Sequence, residues 1–162
     1  MNFILTGFSG CGKSTVGREL ANIMKMSLID TDILIERKLC LSISDIFACY
    51  GQRFFRFTER EVIKELLFEN NRIISIGGGA FVDPLNIKNL KSIGIVFFLN
   101  ASIGTIMKNA EVSSRPLLKG ENKEMIRTLY KSRIPYYKQA DYEIIVDGKT
   151  PNDIANQIIL FL

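Results

Sequence analysis

The run Gly7-Phe8-Ser9-Gly10-Cys11-Gly12-Lys13-Ser14-Thr15 satisfies the pattern G-x-x-x-x-G-K-[ST]. Glycines at this spacing let successive backbone N–H groups turn inward around phosphate oxygens, and a helix that begins at the lysine adds the partial positive charge of its N-terminus. Lys13 is then placed to reach the β and γ phosphates of a nucleoside triphosphate, and the Ser14 hydroxyl to ligate Mg²⁺. Gly10, Cys11, Gly12 and Thr15 complete the cradle, with Cys11 read as a small residue that fits the loop.

A phosphate loop serves GTPases, ATPases and kinases alike, so the acceptor has to be read from other residues. Asp30 and Asp32 flank the end of an apolar run, where they can divide labour: Asp30 toward Mg²⁺ or its waters, Asp32 toward an acceptor hydroxyl. Either can also cap the helix that follows. A carboxylate suffices as base because a loose phosphoryl-transfer transition state releases the hydroxyl proton late. Gly77-Gly78-Gly79 ends another apolar run and offers bare backbone N–H groups, or else a flexible turn. Arg56 and Glu59 are three apart, on one helix face, where the carboxylate can orient the guanidinium for a ligand carboxylate; a solvated Arg/Glu face is the other account. Arg115-Pro116-Leu117-Leu118 follows a polar stretch and suits a lid that carries an arginine to the transferring phosphate. Arg133 stands two residues before Pro135 on a long amphipathic segment.

Composition narrows the chemistry further. The 162 residues contain no His, which excludes a Ser-His-Asp hydrolase, a His-ligated zinc enzyme and a histidine proton shuttle. None of the 12 glycines has Asp three positions before it, and Asn122-Lys123-Glu124-Met125 lacks the final Asp of N-K-x-D, so a GTPase is disfavoured. A net charge of +4 is too small to point to nucleic acid and leans toward anionic small molecules. Cys11, Cys40 and Cys49 are odd in number and lack C-x-x-C spacing, which fits a reducing cytoplasm. The apolar runs fall far short of a membrane span, and the first residues lack a signal peptide's basic start, so no membrane partner is expected.

These residues need elements to hold them. Short runs rich in Ile, Val and Phe predict strands over 3–6, 27–30, 72–76, 94–99 and 142–146. Amphipathic segments predict helices over 13–25, 31–38, 44–50, 52–69, 84–91, 102–109, 122–139 and 151–161. Thr150, Pro151 and Asp153 supply a cap, a first-turn proline and a first-turn acid for the last helix. Strands separated by helices require crossover connections, hence an α/β doubly wound fold with a parallel sheet covered on both faces. No repeat or linker divides the chain, which reads as one domain over 1–162.

The set as a whole resembles the shikimate kinases along nearly the whole chain. The matching residues are Gly7 to Thr15, Ile29-Asp30-Thr31-Asp32 with Ile35-Glu36, Phe55-Arg56-x-x-Glu59, Gly77-Gly78-Gly79-Ala80, Arg115-Pro116-Leu117-Leu118 and Arg133-x-Pro135-x-Tyr137. The resemblance implies a three-layer P-loop kinase fold like that of the NMP kinases. Its five-stranded parallel sheet, in the order 2-3-1-4-5, would be flanked by helices, with a mobile lid at about 109–120 and a shikimate-binding region at about 31–60. It implies transfer of the γ phosphoryl of ATP to the 3-hydroxyl of shikimate, with Mg²⁺, by a cytoplasmic monomer. Carried over, Lys13 and Ser14 bind ATP phosphates and Mg²⁺, and Asp30 acts on Mg²⁺ through water. Asp32 contacts the shikimate hydroxyls as base or orienter. Arg56 and Arg133 clamp the shikimate carboxylate, with Gly77, Gly78 and Gly79 lining the site and Glu59 supporting Arg56. Arg115 closes over ATP, and Lys108 and Pro151 flank the adenine. Lys108 stands where the family often has Arg, which loses planar stacking, and Ser75 stands where Thr is common. The alternatives are a kinase for another small acceptor, such as gluconate or a nucleoside monophosphate, and a silent ATP-binding module.

Overall fold

The computed structural model describes residues 1–111 and 123–161. Its strands are β1 (Asn2–Thr6), β2 (Ser27–Asp30), β3 (Arg72–Ser75), β4 (Gly94–Asn100) and β5 (Tyr142–Ile145). They form one sheet in the order 2-3-1-4-5, and every pairing is parallel. The helices are α1 (Lys13–Met24), α2 (Thr31–Leu39), α3 (Ile43–Glu65), α4 (Pro84–Ile93), α5 (Ile103–Glu111), α6 (Lys123–Tyr137) and α7 (Pro151–Ile159). Short 3₁₀ turns at Leu66–Phe68 and Ala80–Val82 precede and follow β3.

The central apolar runs become strands buried on both faces, while the edge strands β2 and β5 stay largely open. Every residue of β1 is buried, and Val96, Phe97, Phe98 and Leu99 of β4 are buried beside it. A second, smaller core of Ile35, Ile46, Phe55 and Val62 fastens α2 to α3. That satellite core gives Arg56 and Glu59 a rigid helix to project from.

Local chemistry sets the helix ends. Ser42 accepts a bond from Asp45 N at 3.1 Å to start α3, and Thr150 caps α7 as expected with Pro151 in its first turn, while Asp153, expected only as a first-turn acid, bonds back to Thr150 N and completes a capping box. The two helices expected over 44–50 and 52–69 run end to end, divided by a non-helical Gly51 with φ 76° and ψ 173°. The second ends earlier than expected, at Glu65, tightening into the 3₁₀ turn before Asn71 takes a left-handed φ of 58° and starts β3. The helix expected over 122–139 stops at Tyr137.

One buried side chain ties β1 to its surroundings. Asn2 donates from Nδ2 to the carbonyls of Glu69 (2.9 Å) and Ile93 (3.2 Å), and its Oδ1 accepts from Arg72 N (3.0 Å). It therefore closes the entry to β3 and the exit of α4 in one step. Removing it strands two carbonyls and one N–H. Asn2→Ala is expected to cost on the order of 2 kcal/mol in urea unfolding, with no change in the shape of the active-site edge.

Candidate active site

β1, β2 and β3 leave the sheet at one level, since Ser75 pairs with both Leu5 and Asp30. The loops that follow them therefore meet at the carboxyl edge, where open α/β sheets bind ligands. Gly10 and Gly12 take φ of 87° and 94°, values that favour glycine, and turn the chain into α1. Lys13 is buried, and its Nζ donates to the carbonyls of Gly7 (2.8 Å) and Phe8 (3.0 Å) and lies 3.7 Å from Cys11 Sγ. The ammonium is thus folded back on its own loop, held by neutral oxygens that a phosphate can replace.

Asp30 joins this loop to β2. Its Oδ2 accepts the Ser14 hydroxyl proton at 2.7 Å, while Oδ1 caps α2 by accepting from Asp32 N at 3.1 Å. The ligand and capping accounts of Asp30 are therefore compatible, one oxygen serving each. Thr31 is buried and its Oγ1 accepts from Gly77 N at 2.9 Å, so α2 fixes the start of the triglycine loop. A Cβ added to Gly77 would lie 2.6 Å from Asp32 Oδ1 and 3.1 Å from Glu59 Oε1, which places those two carboxylates around that glycine.

The arginines face the same loop by different means. Arg56 Nη1 donates to Glu59 Oε2 at 2.7 Å, and its guanidinium fills the space a Cβ on Gly79 would need. Arg133 projects from α6, buried, with its Cζ 5.5 Å from the centroid of the Phe8 ring and its Nη1 without a hydrogen-bond partner. Tyr137, one turn later, donates its hydroxyl to Gly78 O. Burial raises the pKa of the Tyr137 phenol, against the pull of the neighbouring Arg133.

Glu59 is the electrostatic centre of this group. Its carboxyl is pushed up from an ordinary 4.5 to about 7, chiefly by burial, with Asp32 adding to the rise while Arg56 and Arg133 oppose it.

The shikimate kinase family model matches residues 9–162. The chain belongs to the shikimate kinase family. It is 42% identical over 158 residues to a shikimate kinase of Thermus thermophilus, covering 96% of this chain and 86% of that one. Another, from Caldanaerobacter subterraneus, is 38% identical over 160 residues, with 98% and 94% covered. Among solved structures, a shikimate kinase from Acinetobacter baumannii in complex with shikimate superposes with a TM-score of 0.94 at 36% identity, over 99% of this chain and 91% of that one. A deoxyadenosine kinase from M. mycoides with bound dATP, at 14% identity and a TM-score of 0.68 over 99% of this chain and 98% of that one, shares the fold.

Most of the residues that the sequence assigns to a shikimate kinase site come together. Lys13, Ser14, Asp30, Asp32, Gly77, Gly78 and Gly79 come from strand ends, loops and helix starts at one edge, and Arg56 and Glu59 from the body of α3 and Arg133 from the last turns of α6 face the same edge. Arg115 and most of the expected lid lie outside the described residues. Lys108 is exposed on α5, and Pro151 opens α7. The chain leading to α7 docks on α5 through Asp147, whose Oδ2 accepts from Ser102 N at 2.8 Å. Thr31, Tyr137 and Asn109, whose Nδ2 donates to Gly10 O at 2.6 Å, are contributors that spacing did not assign. Thr31 and Tyr137 stand in the quoted motifs without a role, and no local pattern signals Asn109.

Two outcomes follow from this geometry. Gly79→Ala forces the Arg56 guanidinium aside, and is expected to raise KM for an acid acceptor by roughly tenfold, the scale of a lost charge-assisted hydrogen bond, while KM for nucleotide stays put. For Glu59, the folded chain holds the proton more tightly than the unfolded chain. Its contribution to stability is full below its ordinary value of 4.5 and is lost as pH rises through about 7. Urea unfolding at about pH 5 and about pH 8 should show that loss in the wild type and a flatter profile in Glu59→Gln.

Proposed function

We propose that this chain transfers the γ phosphoryl group of ATP to the 3-hydroxyl of shikimate, giving shikimate 3-phosphate and ADP. Membership of the shikimate kinase family supports the activity. The structural observation that carries it is Arg133, a buried cation with an unpartnered Nη1 beside the Arg56 and Glu59 pair. A substrate carboxylate supplies the acceptor that this nitrogen lacks and the charge that two neighbouring arginines call for.

The roles follow from placement. The ATP phosphates take Lys13 Nζ from the Gly7 and Phe8 carbonyls, and the backbone N–H groups from Gly10 to Thr15 line them. Asp32, half-buried beside Gly77, orients the 3-hydroxyl and takes its proton as the bond from that oxygen to the γ phosphorus forms and the bond to the β-phosphate oxygen breaks. Arg56 and Arg133 hold the carboxylate, with the triglycine backbone beside it. Arg115 and a lid at 109–120 would close over the nucleotide, and Lys108 and Pro151 would flank its base. Residues 31–60 form the acceptor side of the one domain.

Ser14 and Asp30 are hard oxygen donors already in contact, and Asp30 accepts the hydroxyl's proton, so the Ser14 oxygen is free to offer a lone pair: the pair fits Mg²⁺. Held by the Ser14 hydroxyl and, through water, by Asp30, Mg²⁺ would supply positive charge beside the phosphates. Free cysteines at 11, 40 and 49 support a cytoplasmic setting, and a site whose proposed groups all come from one chain supports a monomer. Among the described residues no helix is long and apolar enough to cross a membrane.

The test is ADP release against shikimate, gluconate and nucleoside monophosphates with ATP and Mg²⁺. Shikimate alone is expected to drive turnover. ATP binding without turnover on any acceptor would instead favour a silent nucleotide-binding module. Asp32→Asn is expected to bind ATP normally and to lower kcat by about 10² or more, the scale of acid–base participation.

A further inference from the structure

We infer that Phe8, the second residue of the phosphate loop, is a positioning residue for Arg133. The inference rests on the reading that Arg133 holds the substrate carboxylate. Arg133 needs a fixed orientation, because its donors must converge on one acceptor, yet its Nη1 is buried without a partner. Arg56 gets its orientation from the Glu59 carboxylate at 2.7 Å. Arg133 is met instead by the Tyr137 hydroxyl, which shares a hydrogen bond with its side chain, and by the Phe8 ring, whose centroid is 5.5 Å from its Cζ.

The ring is built as a platform. Phe8 is 1% exposed. Tyr130 of α6 meets it edge-on, with centroids 5.6 Å apart and an interplanar angle of 75°, which fixes the ring against the helix that carries Arg133. Its backbone is fixed from the other side, since Phe8 O accepts from Cys11 N at 3.2 Å and from Lys13 Nζ at 3.0 Å. The position of the guanidinium is therefore referred to the phosphate loop itself, and the acid clamp is set against the same residue that shapes the nucleotide cradle.

The choice of an aromatic face has a chemical logic. A carboxylate would orient Arg133 by occupying donors and cancelling charge, both of which the substrate carboxylate needs. A π face attracts the cation while leaving its N–H donors and its charge available. With Arg56 already paired to Glu59, an unneutralised Arg133 is what keeps the clamp attractive to an anion.

The experiment compares wild type, Phe8→Leu, and chains in which the Phe8 ring carries one, two, three or five fluorines, which withdraw its quadrupole at nearly constant volume. Phe8→Leu is expected to raise KM for shikimate by about three- to thirtyfold, the range of a desolvated cation–π contact, with kcat and KM for ATP within about twofold. The fluorinated rings are expected to raise KM for shikimate stepwise with fluorine number. If Phe8→Leu folds poorly, the fluorinated series decides alone. An unchanged shikimate KM across the fluorinated series overturns the inference, as does a parallel fall in kcat and rise in both KM values, which is what simple packing would give. A wild-type enzyme with no shikimate turnover would overturn the function reading first, and is seen before any variant is made.

Discussion

Three cations are gathered at one edge of a parallel sheet, and the rest of the site is arranged around keeping them there without neutralising them. Lys13 and Arg133 are 4% and 7% exposed, and the Arg56 side chain is 26% exposed. Desolvated like charges repel, so such a cluster is stable only where dipoles and a few anions answer it. Lys13 is answered by two carbonyl oxygens and Arg133 by a ring face and the Tyr137 hydroxyl, while Arg56 is the one of the three in an ion pair with a carboxylate. Even that carboxylate is held back, because burial opposes the ionisation of Glu59. Lys13 Nζ on its two carbonyls and the unpartnered Arg133 Nη1 remain available to the anionic oxygens that a triphosphate and an acid substrate bring. Binding and charge compensation are the same event in such a site.

Elsewhere the molecule uses ordinary ion pairs. Lys38 with Glu65, Lys64 with Glu61 and Arg72 with Glu69 are solvated and contribute little each. Their placement away from the sheet edge matters more than their energy, since they keep anionic groups from competing for the crevice cations. The satellite core under α2 and α3 has a comparable part: it makes the proposed acceptor side a packed unit, so Glu59 and Arg56 move with a helix and not with a loop.

Much of this was legible in the sequence, and for identifiable reasons. The glycine and lysine spacing of residues 7–15 encodes a backbone path directly, and residues 3–5 of β1 and 95–99 of β4 are apolar because both faces are covered. The break at Gly51 was readable because glycine marks a positive φ between two amphipathic patterns. What could not be read was contact across distance. Nothing local says that Thr31 receives Gly77 N, that Asn109 reaches Gly10 O, or that Asn2 serves three backbone groups from two other segments. The Arg56 to Glu59 spacing was compatible with a solvated face, and only burial of Glu59 decides for an oriented guanidinium. Helix ends such as Glu65 and Tyr137 were misjudged because the tertiary turn into the next strand, not side-chain pattern, stops the helix there.

The triglycine loop shows how these constraints converge. The three residues look interchangeable in sequence, yet a Cβ would meet something different at each. At Gly77 it would meet the Asp32 and Glu59 carboxylates, at Gly78 the phosphate loop, with Ser9 N at 3.0 Å and Gly7 O at 3.4 Å, and at Gly79 the Arg56 guanidinium. None of the three carries the left-handed φ seen at Gly10 and Gly12, so conformational freedom is not what selects them. Space is. One strand end is wedged between the proposed base, the phosphate loop and the arginine proposed to clamp the acid, and the only side chain that leaves all three in place is a hydrogen atom. Because Tyr137 also anchors Gly78 O, the loop touches the phosphate loop, α2, α3 and α6 together. A shift of any one of those elements must pass through it, which makes this short glycine segment the part of the site where nucleotide and acceptor geometry are set against each other.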